Sequence, residues 1–251
     1  MIGIVGGVGP YAGVDLLRKV FDNTIAGLDQ DHLDTVLISM PGGILDRTEY
    51  LEGRVSVNPA YAIADVLRRL EDARANVAGI PCNTAHVDRI FNVVLEELQK
   101  TGNSIEVLHM IRETAAFIAG NHPDASRIGV LSTPGTYRSG AYRTALESDG
   151  YTVITPPETM QEELIHPAIY HPKYGVKACS NPIHPTAVEN LNAGMSYLKS
   201  EGAEVVILGC TEIPLVYPGP EVMGIVAVDP TTVLARALIR KAAPQKLSAL
   251  P

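Results

Sequence analysis

Two of the three cysteines in this 251-residue chain stand where a thiol can do acid–base work. Ile80-Pro81-Cys82-Asn83-Thr84-Ala85-His86 reads as the end of an apolar strand leading into a helix, with Asn83 or Thr84 as N-cap and the helix running to about Leu98. Leu208-Gly209-Cys210-Thr211-Glu212-Ile213-Pro214-Leu215 repeats the arrangement in the second half. Open α/β sheets bind ligands at the carboxyl ends of their strands, which is where both thiols fall. A free thiol has a pKa of about 8.5, and amides at a helix start lower it, so each is expected to reach a useful thiolate fraction at neutral pH. A single cysteine is more often a small buried hydrophobe. Two at equivalent strand ends argue for chemistry instead. Cys179, in Lys177-Ala178-Cys179-Ser180-Asn181, has no such setting and is read as incidental. A zinc site would have to use Cys82, His86, Cys210 and Glu212, but no C-x-x-C or H-x-x-x-H pair supports one, so no metal is expected.

Short apolar runs separated by amphipathic stretches must position these thiols. Strands are predicted at residues 2–5, 35–40, 77–81, 105–108, 127–131, 151–155, 204–208 and 223–228. Most are continuously apolar rather than alternating, as parallel strands covered on both faces are. Helical stripes lie between them. Asn58-Pro59 opens one that carries Ile63, Val66, Leu67 and Leu70; Val87, Phe91, Val94, Leu95 and Leu98 form a second; Leu191, Met195 and Leu198 form a third. Alternating strands and helices imply right-handed crossovers and a mainly parallel sheet.

The pattern occurs twice. Ile2-Gly3-Ile4-Val5 followed by Gly9-Pro10 resembles Ile128-Gly129-Val130-Leu131 followed by Thr133-Pro134-Gly135, and the run from Val77 to Cys82 resembles that from Val205 to Cys210. The fold class expected is α/β, with two pseudo-symmetric three-layer domains and the active site in the cleft between them. The first domain is placed at residues 1–110 plus about 231–251, the second at 111–230, and the C-terminal helix from about Thr231 is expected to pack back on the first.

Gly7-Val8-Gly9-Pro10-Tyr11-Ala12 also fits the G-x-G-x-x-A turn of dinucleotide sites. That reading needs an acidic residue at the end of the second strand. Asp29, Asp31 and Asp34 stand before that strand, and Pro41-Gly42-Gly43 follows it, so NAD is not expected. A tight turn, or amides that hold a carboxylate, remains.

Composition narrows the partners. Twenty Lys and Arg against 28 Asp and Glu give a net charge of −8 without a basic run, which disfavours nucleic acid. No apolar stretch approaches a membrane span of ~20 residues. The N-terminus opens on a strand-like run without a basic n-region, so no secretory signal is read and a cytoplasmic enzyme is expected. The odd number of cysteines makes no disulfide framework.

Gly6-Gly7-Val8-Gly9-Pro10, Asp46-Arg47-Thr48, Pro81-Cys82-Asn83-Thr84 and Gly209-Cys210-Thr211-Glu212, in this order over the whole chain, resemble the aspartate/glutamate racemase family. Glutamate racemases of that family open with Asp-Ser-Gly and carry Cys-Thr-His at the second cysteine; here Glu212 takes the place of the histidine, as in the aspartate racemase branch. That branch usually has Met where Val8 stands. The resemblance implies a cofactor-independent amino-acid racemase, with aspartate the expected substrate. Cys82 and Cys210 would serve opposite faces of the α-carbon, one thiolate taking the proton and one thiol returning it. Asn83, Thr84, Thr211, Gly9 and neighbouring amides would stabilise the carbanion through its α-carboxylate. Arg47 would hold the distal carboxylate, and Lys177, in preference to Lys173, would serve from the second half. Glu212 would hold the thiol's proton network or the substrate ammonium. His86 is read as capping or packing; His166, His171 and His184 are read as loop residues. The expected assembly is a homodimer. Alternatives are a racemase of glutamate or of broad specificity, a maleate isomerase or arylmalonate decarboxylase on the same scaffold, and a periplasmic-type binding module.

Overall fold

The structure is a computed structural model that describes residues 1–250. In chain order the elements are β1 (Ile2–Gly6), α1 (Pro10–Asp22), β2 (Thr35–Ser39), α2 (Arg47–Leu51), α3 (Ala60–Asp72), β3 (Val77–Gly79), α4 (Asp88–Lys100), β4 (Glu106–Leu108) and α5 (Met110–Asn121). They continue with β5 (Arg127–Ser132), α6 (Pro134–Ser139), α7 (Ala141–Glu147), β6 (Thr152–Ile154), α8 (Glu158–Met160), α9 (His166–Tyr170), α10 (Pro185–Ser200), β7 (Val205–Gly209), α11 (Ile213–Val216), β8 (Glu221–Val222), β9 (Ile225–Val228) and α12 (Pro230–Ala242). A π-helical turn, Gln161–Ile165, joins α8 to α9. Two compact units result, Met1–Glu113 with Thr231–Pro251, and Thr114–Pro230.

In the first unit a parallel sheet of order β2-β1-β3-β4 is covered on both faces. Alternate residues of β1 serve different layers. Ile2 and Ile4 join Leu16, Val20, Leu234 and Leu238 of α1 and α12; Val5 joins Ile63, Leu67 and Val94 of α3 and α4. Burial on both faces is why the strand reads as an unbroken apolar run, and each fully buried Leu or Ile contributes about 1.5–3 kcal/mol. Asn58 Oδ1 accepts the Ala60 N–H at 3.0 Å and so caps α3. Leu95 departs from the expected stripe: it lies exposed on α4, because Val94 and Leu98 already fill the side facing the sheet.

The second unit repeats the order as β6-β5-β7-β9, parallel throughout, and adds β8 antiparallel to β9 at the edge. That short hairpin strand was not read from the sequence. Leu131, Val206 and Leu208 pack on Leu191, Met195 and Leu198 of α10. His166, expected as a loop residue, lies instead in a helical run from Glu158 to Tyr170. Pro157 stands just before α8, where a missing N–H breaks no helical bond, and Pro167 directly follows the π-helical turn inside the continuous helical run. His166 opens α9, and His184 caps α10, its Nδ1 accepting the Thr186 N–H at 3.2 Å. His171 stacks on Tyr174 with centroids 3.8 Å apart.

Candidate active site

The sheets place Cys82 and Cys210 equivalently, one just beyond β3 and the other just beyond β7, each the strand beside the first strand of its sheet. Both are free and buried.

Around Cys82 the local structure differs from the expected helix. Asn83–His86 is a single 3-10 turn with Cys82 at its head. Val87 then turns extended, at φ −68° and ψ 135°, before α4 starts at Asp88. The thiol therefore does not stand at the start of a long helix. His86 closes the turn: Nδ1 lies 2.9 Å from the Cys82 carbonyl oxygen and Nε2 3.3 Å from that of Leu108. Burial, with the ring of His109 beside it, pushes its pKa down to about 3, so the imidazole is neutral and only one of its nitrogens donates. It stacks on Phe91 at 5.0 Å and has a packing role.

The glycine loop and Arg47 assemble against this turn. Gly7 has φ +87°, and a Cβ there would sit 2.7 Å from the Pro41 nitrogen, so the residue is required by both conformation and space. Gly9 stands at the N-terminus of α1, just ahead of Pro10. Asp46 caps α2 by accepting the N–H groups of Thr48 and Glu49 at 2.8 and 3.0 Å. The next residue, Arg47, is buried, and its guanidinium donates to the carbonyls of Val8 and Leu45. α2 packs against the Asn83–His86 turn. Asn83 and Thr84 are buried within that turn. Arg47 thus ties the glycine loop to the loop after β2.

Cys210 has a fuller set of partners. Gly209 precedes it because a Cβ there would lie 3.0 Å from Cβ of Ser132 and 3.3 Å from the Tyr142 ring. The thiol donates to Glu212 Oε2 at 3.0 Å, and the Thr211 hydroxyl donates to the same oxygen at 3.2 Å. Lys177 Nζ donates to Glu212 Oε1 at 2.9 Å and lies 5.3 Å from the centroid of Tyr170. Four expected residues, Lys177, Cys210, Thr211 and Glu212, therefore meet in one network. Lys173 is exposed and stands outside it, and the Cys179 thiol donates to the Lys173 carbonyl at 3.4 Å. The expected lowering of the thiol pKa is reversed at Cys210. Burial, then the adjacent Glu212 carboxylate, pushes it well above the ordinary range, and Lys177 offsets part of this. α11 has only four residues, too short a helix to compete. Cys210 rests as a thiol with its proton aimed at Glu212.

Sequence reading missed the hydroxyls at the end of β5. Ser132, Thr133 and Thr136 are buried there, and Ser132 is the strand partner of Gly209. Thr133 caps α6 by accepting the Thr136 N–H at 3.4 Å. The signal was present, since Thr133-Pro134-Gly135 answers the Gly9-Pro10 turn of the first unit. A cavity of about 460 Å³ opens beside Ser132 and Thr136 under α6 and α7; neither cysteine lines it.

Comparison with known proteins bears on the chain as a whole. The family model for Asp/Glu/hydantoin racemases matches residues 5–238. A broad specificity amino-acid racemase of Bacillus subtilis is 28% identical over 221 residues, covering 85% of this chain and 86% of the relative. A glutamate racemase of Bacillus cereus is 31% identical over 156 residues, 61% of this chain and 51% of the relative. The solved aspartate racemase of Picrophilus torridus superposes with a TM-score of 0.80 at 28% identity, over 98% of this chain and 95% of that one. With the match spanning both units and both strand-end cysteines, the chain belongs to the Asp/Glu/hydantoin racemase family, a family of isomerases.

Proposed function

We propose that this protein is a cofactor-independent amino-acid racemase, with aspartate its substrate, that moves the α-proton between two thiols. The observation that carries the reading is the equivalence of Cys82 and Cys210 at the ends of corresponding strands. The likeness to the Picrophilus aspartate racemase supports the choice of aspartate. Cys82, as thiolate, takes the α-proton from one face. Cys210, held protonated beside Glu212, gives its proton to the other face and becomes the thiolate. The reverse reaction starts from the opposite protonation of the pair. Glu212 disfavours a thiolate at Cys210, which suits Cys210 to the acid role in this direction. Hydroxyls and amides at the strand ends, with Asn83, Thr84, Thr211 and Gly9 among them, stabilise the charge that spreads onto the α-carboxylate. Arg47 and Lys177 serve the carboxylates.

A second reading, a racemase of broader specificity, is favoured by one feature of the cations. Lys177 is already held by Glu212, and Arg47 by two backbone carbonyls. A substrate without a second carboxylate asks neither to let go. The Bacillus subtilis relative supports this reading. Incubation with single L-amino acids in deuterated water, followed by NMR, decides between them. Exchange of the α-proton of aspartate well ahead of alanine, serine and lysine supports the first reading, comparable exchange supports the second, and none with any amino acid refutes both.

A further inference from the structure

Gln161 opens the π-helical turn Gln161–Ile165 and is 1% exposed, yet neither its Nε2 nor its Oε1 has a hydrogen-bond partner. Burying an amide without partners is unfavourable, and such groups in native proteins mark a ligand, an ordered water or a functional strain. π-helical turns are themselves rare and concentrate at functional sites.

The placement of the segment decides among these. Residues on either side of Gln161 are anchored: Arg138 of α6 binds Glu158 at 2.6 Å and Glu162 at 2.8 Å. α6 starts two residues beyond the carboxyl end of β5. One turn on, Ile165 closes over Gly194 together with Leu131 near the end of β5. Further on, Lys177 N–H bonds the Ile169 carbonyl at 3.1 Å while its ammonium reaches Glu212. The stretch from Glu158 to Lys177 is thus tied at one end to the exit of β5 and at the other to the Cys210 network. Gln161 lies on it with Ile165 and Ile169, all three buried while Glu162 and Glu163 between them face solvent.

We infer that Gln161 is a substrate-binding residue whose free amide receives the charged head of the amino acid. The amide offers two N–H donors and one acceptor. Nε2 donates to an oxygen of the α-carboxylate, and Oε1 accepts from the α-ammonium. A neutral amide suits this task, since it binds both charges of a zwitterion without adding one of its own. The assignment rests on the racemase reading above and adds a residue to it.

The test is steady-state kinetics with thermal unfolding for Gln161→Leu, Gln161→Asn and Gln161→Glu. For Gln161→Leu, KM is expected to rise about tenfold or more with kcat nearly kept, because an interaction shared by bound substrate and transition state is lost. The Tm without substrate should hold or rise, since a buried amide without partners is replaced by an apolar group of similar size, and the stabilisation by added amino acid should disappear. Gln161→Asn keeps the chemistry but falls short of it by one methylene and should raise KM less; it carries the test if the leucine variant does not fold. Gln161→Glu should raise KM most, by placing a carboxylate against a carboxylate. An unchanged KM in the leucine and asparagine variants overturns the assignment and leaves the amide to an ordered water. A fall in kcat and Tm with KM unchanged also overturns it, in favour of a structural role. If the wild-type protein exchanges no amino-acid α-proton, the racemase reading falls and takes this one with it; wild-type exchange with an unmoved KM in the variants removes Gln161 alone.

Discussion

Removing the charge of Lys177 tests the account of the Cys210 network. The ammonium lies 2.9 Å from Glu212 Oε1, with the lysine side chain 24% exposed and the glutamate 5%. At that distance and an effective dielectric near 20, the attraction is about 6 kcal/mol, most of it offset by the desolvation of the two charges. Lys177→Met keeps the aliphatic stem but leaves the carboxylate buried without its cation. Breaking buried pairs this way costs about 3–5 kcal/mol, and partial exposure of the lysine points to the lower end, ~3 kcal/mol. For a chain of this size that is a fall of roughly 6–12 °C in Tm. Glu212→Gln in the same chain should recover most of the loss, a coupling that a double-mutant cycle measures. Alkylation of Cys210 supplies a second reading of the same charges: slower than wild type in Lys177→Met, faster in Glu212→Gln. A Lys177→Met variant that loses less than about 0.5 kcal/mol, additive with Glu212→Gln, would refute the network as described.

Other outcomes follow from the remaining groups. Cys82→Ser and Cys210→Ser should each abolish racemisation, because a hydroxyl is far too weak an acid to replace a thiolate; each should lose α-proton exchange with one enantiomer while exchange with the other is retained, and Cys179→Ser should turn over normally. Two cysteine variants with identical defects toward both enantiomers would end the one-face-each scheme. Arg47→Ala removes charged donors from the Val8 and Leu45 carbonyls and should cost about 1.5–3 kcal/mol in unfolding experiments; a larger rise in KM for aspartate than for alanine would assign it the distal carboxylate, and equal effects would leave it a loop clamp. His86 has a folded pKa near 3 against about 6.5 unfolded, so the unfolded chain binds the extra proton. Stability should therefore fall below pH 6.5, by up to about 1.4 kcal/mol per pH unit down to pH 3, and His86→Phe should flatten that limb of a urea-denaturation series.

The sequence by itself determined the strands, the doubling and the pair of thiols. A strand covered on both faces must be apolar along its covered length, so β1, the run of residues 128–131 in β5, and β7 declare themselves without knowledge of their neighbours. The repeat placed Cys82 and Cys210 at corresponding strand ends because the spacing from strand start to cysteine is the same in both halves. Tertiary structure decided what local pattern cannot carry. The apolar stripe after Cys82 runs on without a break, yet Val87 turns extended so that His86 can reach the Leu108 carbonyl, a contact across 22 residues. The sequence offers both Lys173 and Lys177 and prefers Lys177 without a contact to separate them; the bond from the Lys177 N–H to the Ile169 carbonyl and the pair with Glu212 supply it. The protonation of Cys210 also follows from burial and from a carboxylate turned toward it, both properties of the packed chain. Gln161 shows the limit most plainly: its residue type marks nothing, and only the folded core reveals an amide buried without a partner.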